Sequence, residues 1–188
     1  MNILNIFEYN RIIILGNNGS GKSFLAKNLA AITELPLIHL DVAFWKPNWE
    51  PPSEEEWLNK ITNFVSNDKW IIDGMCSWGE TMDLRFKAAD LIILLDINGL
   101  VCLGGVIKRQ GKERSDTAVN HHLDEKFDRD FIKFCKGIFT FNKTRRLKIM
   151  EFHEKYPDKP FYVIKGRRNM KNLIRQWRNE KENRMNNY

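Results

Sequence analysis

The sequence predicts a three-layer α/β protein, a parallel β-sheet with helices packed on both faces. Three observations carry this. Five short apolar runs, Arg11–Leu15, Leu37–Leu40, Lys69–Ile72, Leu91–Leu95 and Phe161–Ile164, are each four or five residues long. They do not alternate apolar with polar, which is the pattern of strands buried on both sides. Helical segments lie between them, the arrangement that requires parallel strands. Finally, the first run leads into Gly-Asn-Asn-Gly-Ser-Gly-Lys-Ser at Gly16–Ser23, and the helical spacing of Phe24–Ala30 follows.

That octapeptide fits G-x-x-x-x-G-K-[ST] at every fixed position and sits in the strand–loop–helix order that phosphate binding requires. Gly16, Gly19 and Gly21 allow backbone conformations that a side chain would forbid. The N–H groups of Asn17, Asn18, Ser20 and their neighbours can then converge on phosphate oxygens at the positive end of the new helix. Lys22 supplies a full charge for the β- and γ-phosphates and a catalytic cation. Ser23 offers a hydroxyl to Mg²⁺, and Phe24 borders the nucleotide.

The remaining elements follow in order. The second run ends at Asp41. Trp45–Pro52 is turn-rich, with Trp45 and Trp49 flanking a proline-containing loop. Ser53 with Glu56 three residues on is a capping box, and the helix it opens carries Trp57, Leu58, Ile61, Phe64 and Val65 at amphipathic spacing. The third run ends at Asp73-Gly74, the fourth at Asp96 and the fifth near Gly166-Arg167. Ligands of parallel sheets bind at the carboxyl ends of strands, so Asp41, Asp73 and Asp96 share an edge with the glycine loop. Arg178–Tyr188 is polar and is expected to fray.

The 188 residues suit one domain spanning 1–188, and 43% hydrophobic with 29% charged residues marks a globular chain. No apolar run approaches the ~18 residues of a membrane span. No basic segment followed by a long apolar stretch opens the chain, so no secretory signal is expected. Cys76, Cys102 and Cys135 are odd in number and form no C-x-x-C pair, which disfavours a disulfide frame or zinc site. A reduced, cytoplasmic setting is the simplest expectation. The adjacent His121-His122 lacks neighbouring cysteines and is not expected to bind metal.

Charge is unevenly distributed. Residues 1–100 hold 8 basic and 13 acidic side chains, whereas residues 101–188 hold 22 and 11. The basic half can meet a nucleotide's phosphates or a nucleic acid, although most of its charges suit a solvated helical surface. Between the fourth and fifth runs, about residues 100–150 form a basic, mostly helical segment containing Arg109, Arg114, Arg145 and Arg146. Such a segment can close as a lid over phosphates, excluding water and bringing catalytic cations to the transferring group.

Ordered landmarks extend the reading beyond the loop. They are His39-Leu40-Asp41 with Phe44-Trp45, Ile71-Ile72-Asp73-Gly74, Thr81-x-Asp83-x-Arg85, Ala89-Asp90, Leu94-Leu95-Asp96 and Lys143-Thr144-Arg145-Arg146. From about residue 11 to residue 168 the series resembles the bacterial DNA topology modulation proteins, which are adenylate-kinase-related P-loop proteins. The resemblance implies a P-loop fold of the nucleoside-monophosphate-kinase type, with strand order 2-3-1-4-5 and a helical lid. It also implies ATP and Mg²⁺ as ligands, with Asp73 and Gly74 helping to hold the metal's water shell near the substrate. Arg167 is implied on the adenine side, where its guanidinium can stack on the base. The chain departs from the family at Met75-Cys76, near the implied acceptor pocket.

Acceptor-side roles follow from chemistry. Asp41 can take a proton from an acceptor hydroxyl or hold the acceptor. Arg85 can grip an acceptor anion bidentately. Trp45 can line the pocket. The leading expectation is an ATP/Mg²⁺-dependent phosphotransferase acting on a nucleotide or another small molecule. The alternative is a nucleotide-gated regulator that affects DNA topology without phosphoryl transfer. Direct DNA contact is disfavoured, because no helix-turn-helix, zinc-finger or RNA-binding signature is present. A GTPase is disfavoured because Asn142-Lys143-Thr144-Arg145 lacks the Asp of N-K-x-D.

Overall fold

The computed structural model describes residues 4–46, 50–75, 79–108 and 129–186. Five strands, β1 (Arg11–Gly16), β2 (Leu37–His39), β3 (Trp70–Asp73), β4 (Leu91–Asp96) and β5 (Phe161–Lys165), form one sheet in the order β2-β3-β1-β4-β5. All the pairings are parallel. The helices are α1 (Lys22–Thr33), α2 (Leu40–Phe44), α3 (Glu54–Val65), α4 (Glu80–Ala88), α5 (Gly99–Ile107), α6 (Arg129–Thr140), α7 (Arg145–Lys155) and α8 (Arg167–Asn186).

The strands alternate between two cores. Ile12, Ile14, Ile71, Leu91, Ile93 and Leu95 face α1, α5, α6 and α8, where Leu25, Leu29, Cys102, Ile138, Met170 and Trp177 meet them. Ile13, Leu15, Ile72, Ile92 and Leu94 face α3, α4 and α7, against Trp57, Ile61, Phe86 and Ile149. Each fully buried aliphatic side chain contributes about 1.5–3 kcal/mol. That double burial is why the strands read as unbroken apolar runs. Asp90 ties the amino ends of the central strands together by accepting from the backbone N–H groups of Arg11 at 2.8 Å and Asn10 at 3.2 Å.

Two elements differ from the sequence reading. The second strand stops at His39, because Leu40 turns into the α3/α4 core as the first residue of α2. Asp41 therefore lies in the first turn of a short helix, where the backbone dipole favours a carboxylate. Residues 178–186, expected to fray, continue α8. Lys181 bonds the Ala31 carbonyl at 3.0 Å and the Glu34 carboxylate at 2.8 Å, and Arg178 bonds Asn28. The guanidinium of Arg184 lies 4.4 Å from the Phe7 ring centroid. Long cationic stems that lie along a surface while their heads find partners hold the polar tail in place.

Candidate active site

The phosphate loop leaves the carboxyl end of the central strand and closes on the start of α1. Gly16, Gly19 and Gly21 have φ of +148°, +73° and +102°, as the spacing requires. Gly19 is also needed for space, since a Cβ there would lie 2.2 Å from the carbonyl oxygen of Cys102 in α5. Lys22 is buried, and its ammonium donates to the Asn17 carbonyl at 3.0 Å, folded back across the loop. The N–H groups of the first turn of α1, beginning with Lys22 and half-buried Ser23, have no intrahelical acceptor and face the loop's opening. Phe24 is half-exposed beside them.

Distant residues brace the loop. The amide of Asn17 donates to the Ile138 carbonyl of α6 at 2.8 Å and accepts from the Asn18 N–H at 2.8 Å. Arg167, at the start of α8, donates to the Gly19 carbonyl at 2.6 Å and the Val101 carbonyl at 3.1 Å. Its guanidinium therefore lies on the loop's backbone, against Gly105, rather than displayed to a base. The thioether of Met75 accepts from the Gly16 N–H at 3.5 Å, which places Met75 on the loop itself. Burial pushes the Cys102 thiol up, and the Arg167 and Lys22 charges pull it the other way.

Asp73 ends β3 beside β1. It is buried; one carboxylate oxygen pairs with His39 Nδ1 at 2.9 Å, while the other, Oδ1, has no partner among the described residues. Its register with Ile14 and its alternation from Ile71 put it on the sheet face that α1 covers. Ser20 Oγ is likewise buried without a partner among the described residues. The next residue, Gly74 (φ +120°), brings the chain against α2: a Cβ there would lie 3.4 Å from Asp41 Oδ1. Asp41 is thus beside the Asp73-Gly74 turn, exposed to solvent. Trp45 is 41% exposed and packs edge-on to Phe44 at 5.1 Å.

Arg85 is placed differently from the expected anion clamp. It is fully buried, and its guanidinium donates to the carbonyls of Thr81 at 3.0 Å and Gly74 at 3.3 Å. It braces the chain at Gly74 and Thr81. Asp83, from the same landmark, pairs with Lys155 at 2.6 Å, and that hydrogen bond holds its carboxyl below the usual range. Of the arginines expected over the phosphates, Arg146 pairs with Asp96 at 3.6 Å, at the carboxyl end of β4, and Arg145 is exposed at the start of α7. Arg109 and Arg114 lie outside the described residues, as do Trp49, Cys76 and His121-His122. The amino-terminal part of the expected lid, α5, is core structure, with Cys102 and Val106 buried beside the loop.

The site fits a nucleoside triphosphate with a hard divalent cation. It has a glycine cradle, a lysine and a helix N-terminus for phosphate. The Ser23 hydroxyl and the free Asp73 oxygen are the donor types that Mg²⁺ takes. His39, Asn17 as a brace and Met75 were not singled out for these roles from the sequence. The available signal for His39 was its place in the His-Leu-Asp landmark.

A 2-3-1-4-5 parallel sheet with a G-x-x-x-x-G-K-S loop after its central strand defines the P-loop kinase fold. Solved kinases share it. A gluconokinase from Sinorhizobium meliloti 1021 matches with a TM-score of 0.52 at 14% identity, covering 95% of this chain and 94% of that one. Shikimate kinase from Bacteroides thetaiotaomicron matches with a TM-score of 0.57 at 15% identity, over 93% and 99%. Shikimate kinase from Acinetobacter baumannii, solved in complex with shikimate, matches with a TM-score of 0.59 at 13% identity, over 89% of each chain. No protein-family model matches the chain, and no curated protein matches it by sequence. Identities this low establish the shared fold. No helix among the described residues is long and apolar enough to cross a membrane.

Proposed function

We propose that the protein is an ATP- and Mg²⁺-dependent phosphotransferase that acts on a hydroxyl group of a small molecule. The observation that carries the reading is the pairing of an intact phosphate cradle with the buried Asp73 Oδ1, which has no partner among the described residues, on the face covered by α1. A buried polar atom left without a partner calls for an explanation, and a bound ion or ligand is one. The kinase fold of the structural neighbours supports the reading.

Lys22 and the loop amides hold the triphosphate tail, and Lys22 neutralises charge as the γ-phosphoryl moves. Ser23 and Asp73 would hold the cation, which when bound would supply positive charge to offset that of the phosphates. Asp41 receives the proton of the acceptor hydroxyl as that oxygen bonds to phosphorus and the β–γ bridging bond breaks to release ADP. The carboxylate at Asp41 and the burial of Arg85 both favour a hydroxyl acceptor over a phosphate one. The opposing reading, a nucleic-acid-binding regulator, loses part of its charge argument, because Lys181 and Arg184 of α8 are engaged within the protein.

The test is an ATP-consumption and thermal-shift screen across sugars, hydroxy acids, nucleosides and nucleoside monophosphates, with Lys22→Ala as control. Ligands that bind the folded state raise its melting temperature. Lys22→Ala should lower turnover by roughly 10²–10³-fold while the fold persists. Unchanged turnover in that variant would overturn the mechanism.

A further inference from the structure

His39 and Asp73 are register partners on neighbouring parallel strands, so their side chains leave the sheet on the same face. That face is the one that Leu37 and Ile71, two residues earlier, present to the core beneath α1. The carboxylate is 4% exposed and the imidazole 17%. With Asp73 ionised, the imidazole is the donor, giving its Nδ1–H to Oδ2 at 2.9 Å. Oδ1 is then buried without a partner, which nothing in the described chain offsets.

Strand geometry alone does not fix this arrangement. The terminal torsion of an aspartate is broad and two-fold, so an unrestrained carboxylate would sample many orientations. One pinned oxygen fixes the direction of the other. We propose that His39 is a positioning residue for the metal: by holding Oδ2 of Asp73, it keeps Oδ1 turned toward the phosphate site for the water shell of a nucleotide-bound divalent cation. The proposal rests on the phosphotransferase reading above. It gives the imidazole no contact with nucleotide or acceptor. Removing an outer partner that orients a metal ligand typically costs about tenfold to a hundredfold in metal affinity.

The experiment uses the full chain, with Mn²⁺·ATP and metal-free ATP as probes. Calorimetry reads affinity, and the paramagnetic resonance of bound Mn²⁺ reads the ion's surroundings. His39→Leu removes the donor. His39→Asn places an amide N–H close to the position of Nδ1, and His39→Gln places one near Nε2 instead. His39→Leu should weaken Mn²⁺·ATP binding roughly tenfold to a hundredfold, with metal-free ATP affinity unchanged. His39→Asn should restore most of the loss and the resonance signature, and His39→Gln should not. Should the leucine variant fail to fold, the asparagine–glutamine pair carries the same comparison.

Wild-type affinity for Mn²⁺·ATP in His39→Leu would overturn the proposal and leave the phosphotransferase reading standing. So would an equal loss for both forms of ATP, which marks a merely structural histidine. An asparagine variant as defective as the leucine one would also count against it. Wild-type protein that binds neither probe would overturn both readings together.

Discussion

Gly19 lies so close to α5 that a methyl group would sit 2.2 Å from the Cys102 carbonyl oxygen, with the backbone already at φ +73°. Neither atom belongs to a flexible side chain, so the contact cannot relax locally. Gly19→Ala should therefore abolish detectable ATP binding by calorimetry and lower the melting temperature. Gly104→Ala, a change with nothing within 4 Å of the new carbon, should do neither. Arg85 makes a different point. Its guanidinium is buried and satisfies the carbonyls of Thr81 and Gly74 together. A lysine lacks the planar fork needed to reach both. Arg85→Lys should cost about 1–3 kcal/mol in urea denaturation, the penalty of a buried acceptor left unsatisfied. If stability held and only acceptor affinity fell, the residue would be the anion clamp that its sequence position suggested.

At the scale of elements, α3 is held at its start by reciprocal bonds: Ser53 Oγ accepts from the Glu56 N–H at 3.1 Å, and Glu56 accepts from the Ser53 N–H at 2.7 Å. Ser53→Ala should destabilise the protein by about 0.5–2 kcal/mol in chemical denaturation. Hydrogen bonds from Lys46 first, and then from the Ser53 backbone, lower the Glu56 carboxyl from its ordinary 4.5 to about 2. A depressed carboxylate stabilises in full above its unfolded value, and the gain is lost as pH falls through the folded one. The melting difference between wild type and Glu56→Gln, present near neutrality, should close as pH drops from about 4.5 toward 2.

This capping box was legible because it is local, with both partners in one turn. The strands were legible because burial on both faces leaves continuous apolar runs, and the loop because its glycines serve backbone geometry. What escaped reading lay in tertiary pairing. His39 meets Asp73 across 34 residues, and Arg167 meets Gly19 across 148. Nothing near Arg167 in the chain distinguishes a brace on the loop from a group presented to a base. The apolar run extends the second strand through Leu40, because an apolar residue suits either a strand or a buried helix start. The tail's polar sequence suggests fraying because its anchoring residues are cationic, and their partners lie in and just after α1 and at the amino end.

Considered whole, the molecule is closed by α8. Trp177 is fully buried and donates its indole N–H to the Leu4 carbonyl at 2.8 Å, joining the two ends of the described chain. Trp177→Ala should cost about 3–5 kcal/mol, read as a fall in the denaturation midpoint. The same helix begins with Arg167 on the loop, and α6 supplies the Ile138 carbonyl that fixes Asn17. The nucleotide cradle is thus encoded early but finished by residues 121 and 148 positions downstream. On the ribosome, where chains emerge at about 5–20 residues per second, the loop would wait roughly 7–30 s for its last strut. A nascent chain stalled before residue 167 would have the motif yet lack the Arg167 brace on the Gly19 carbonyl.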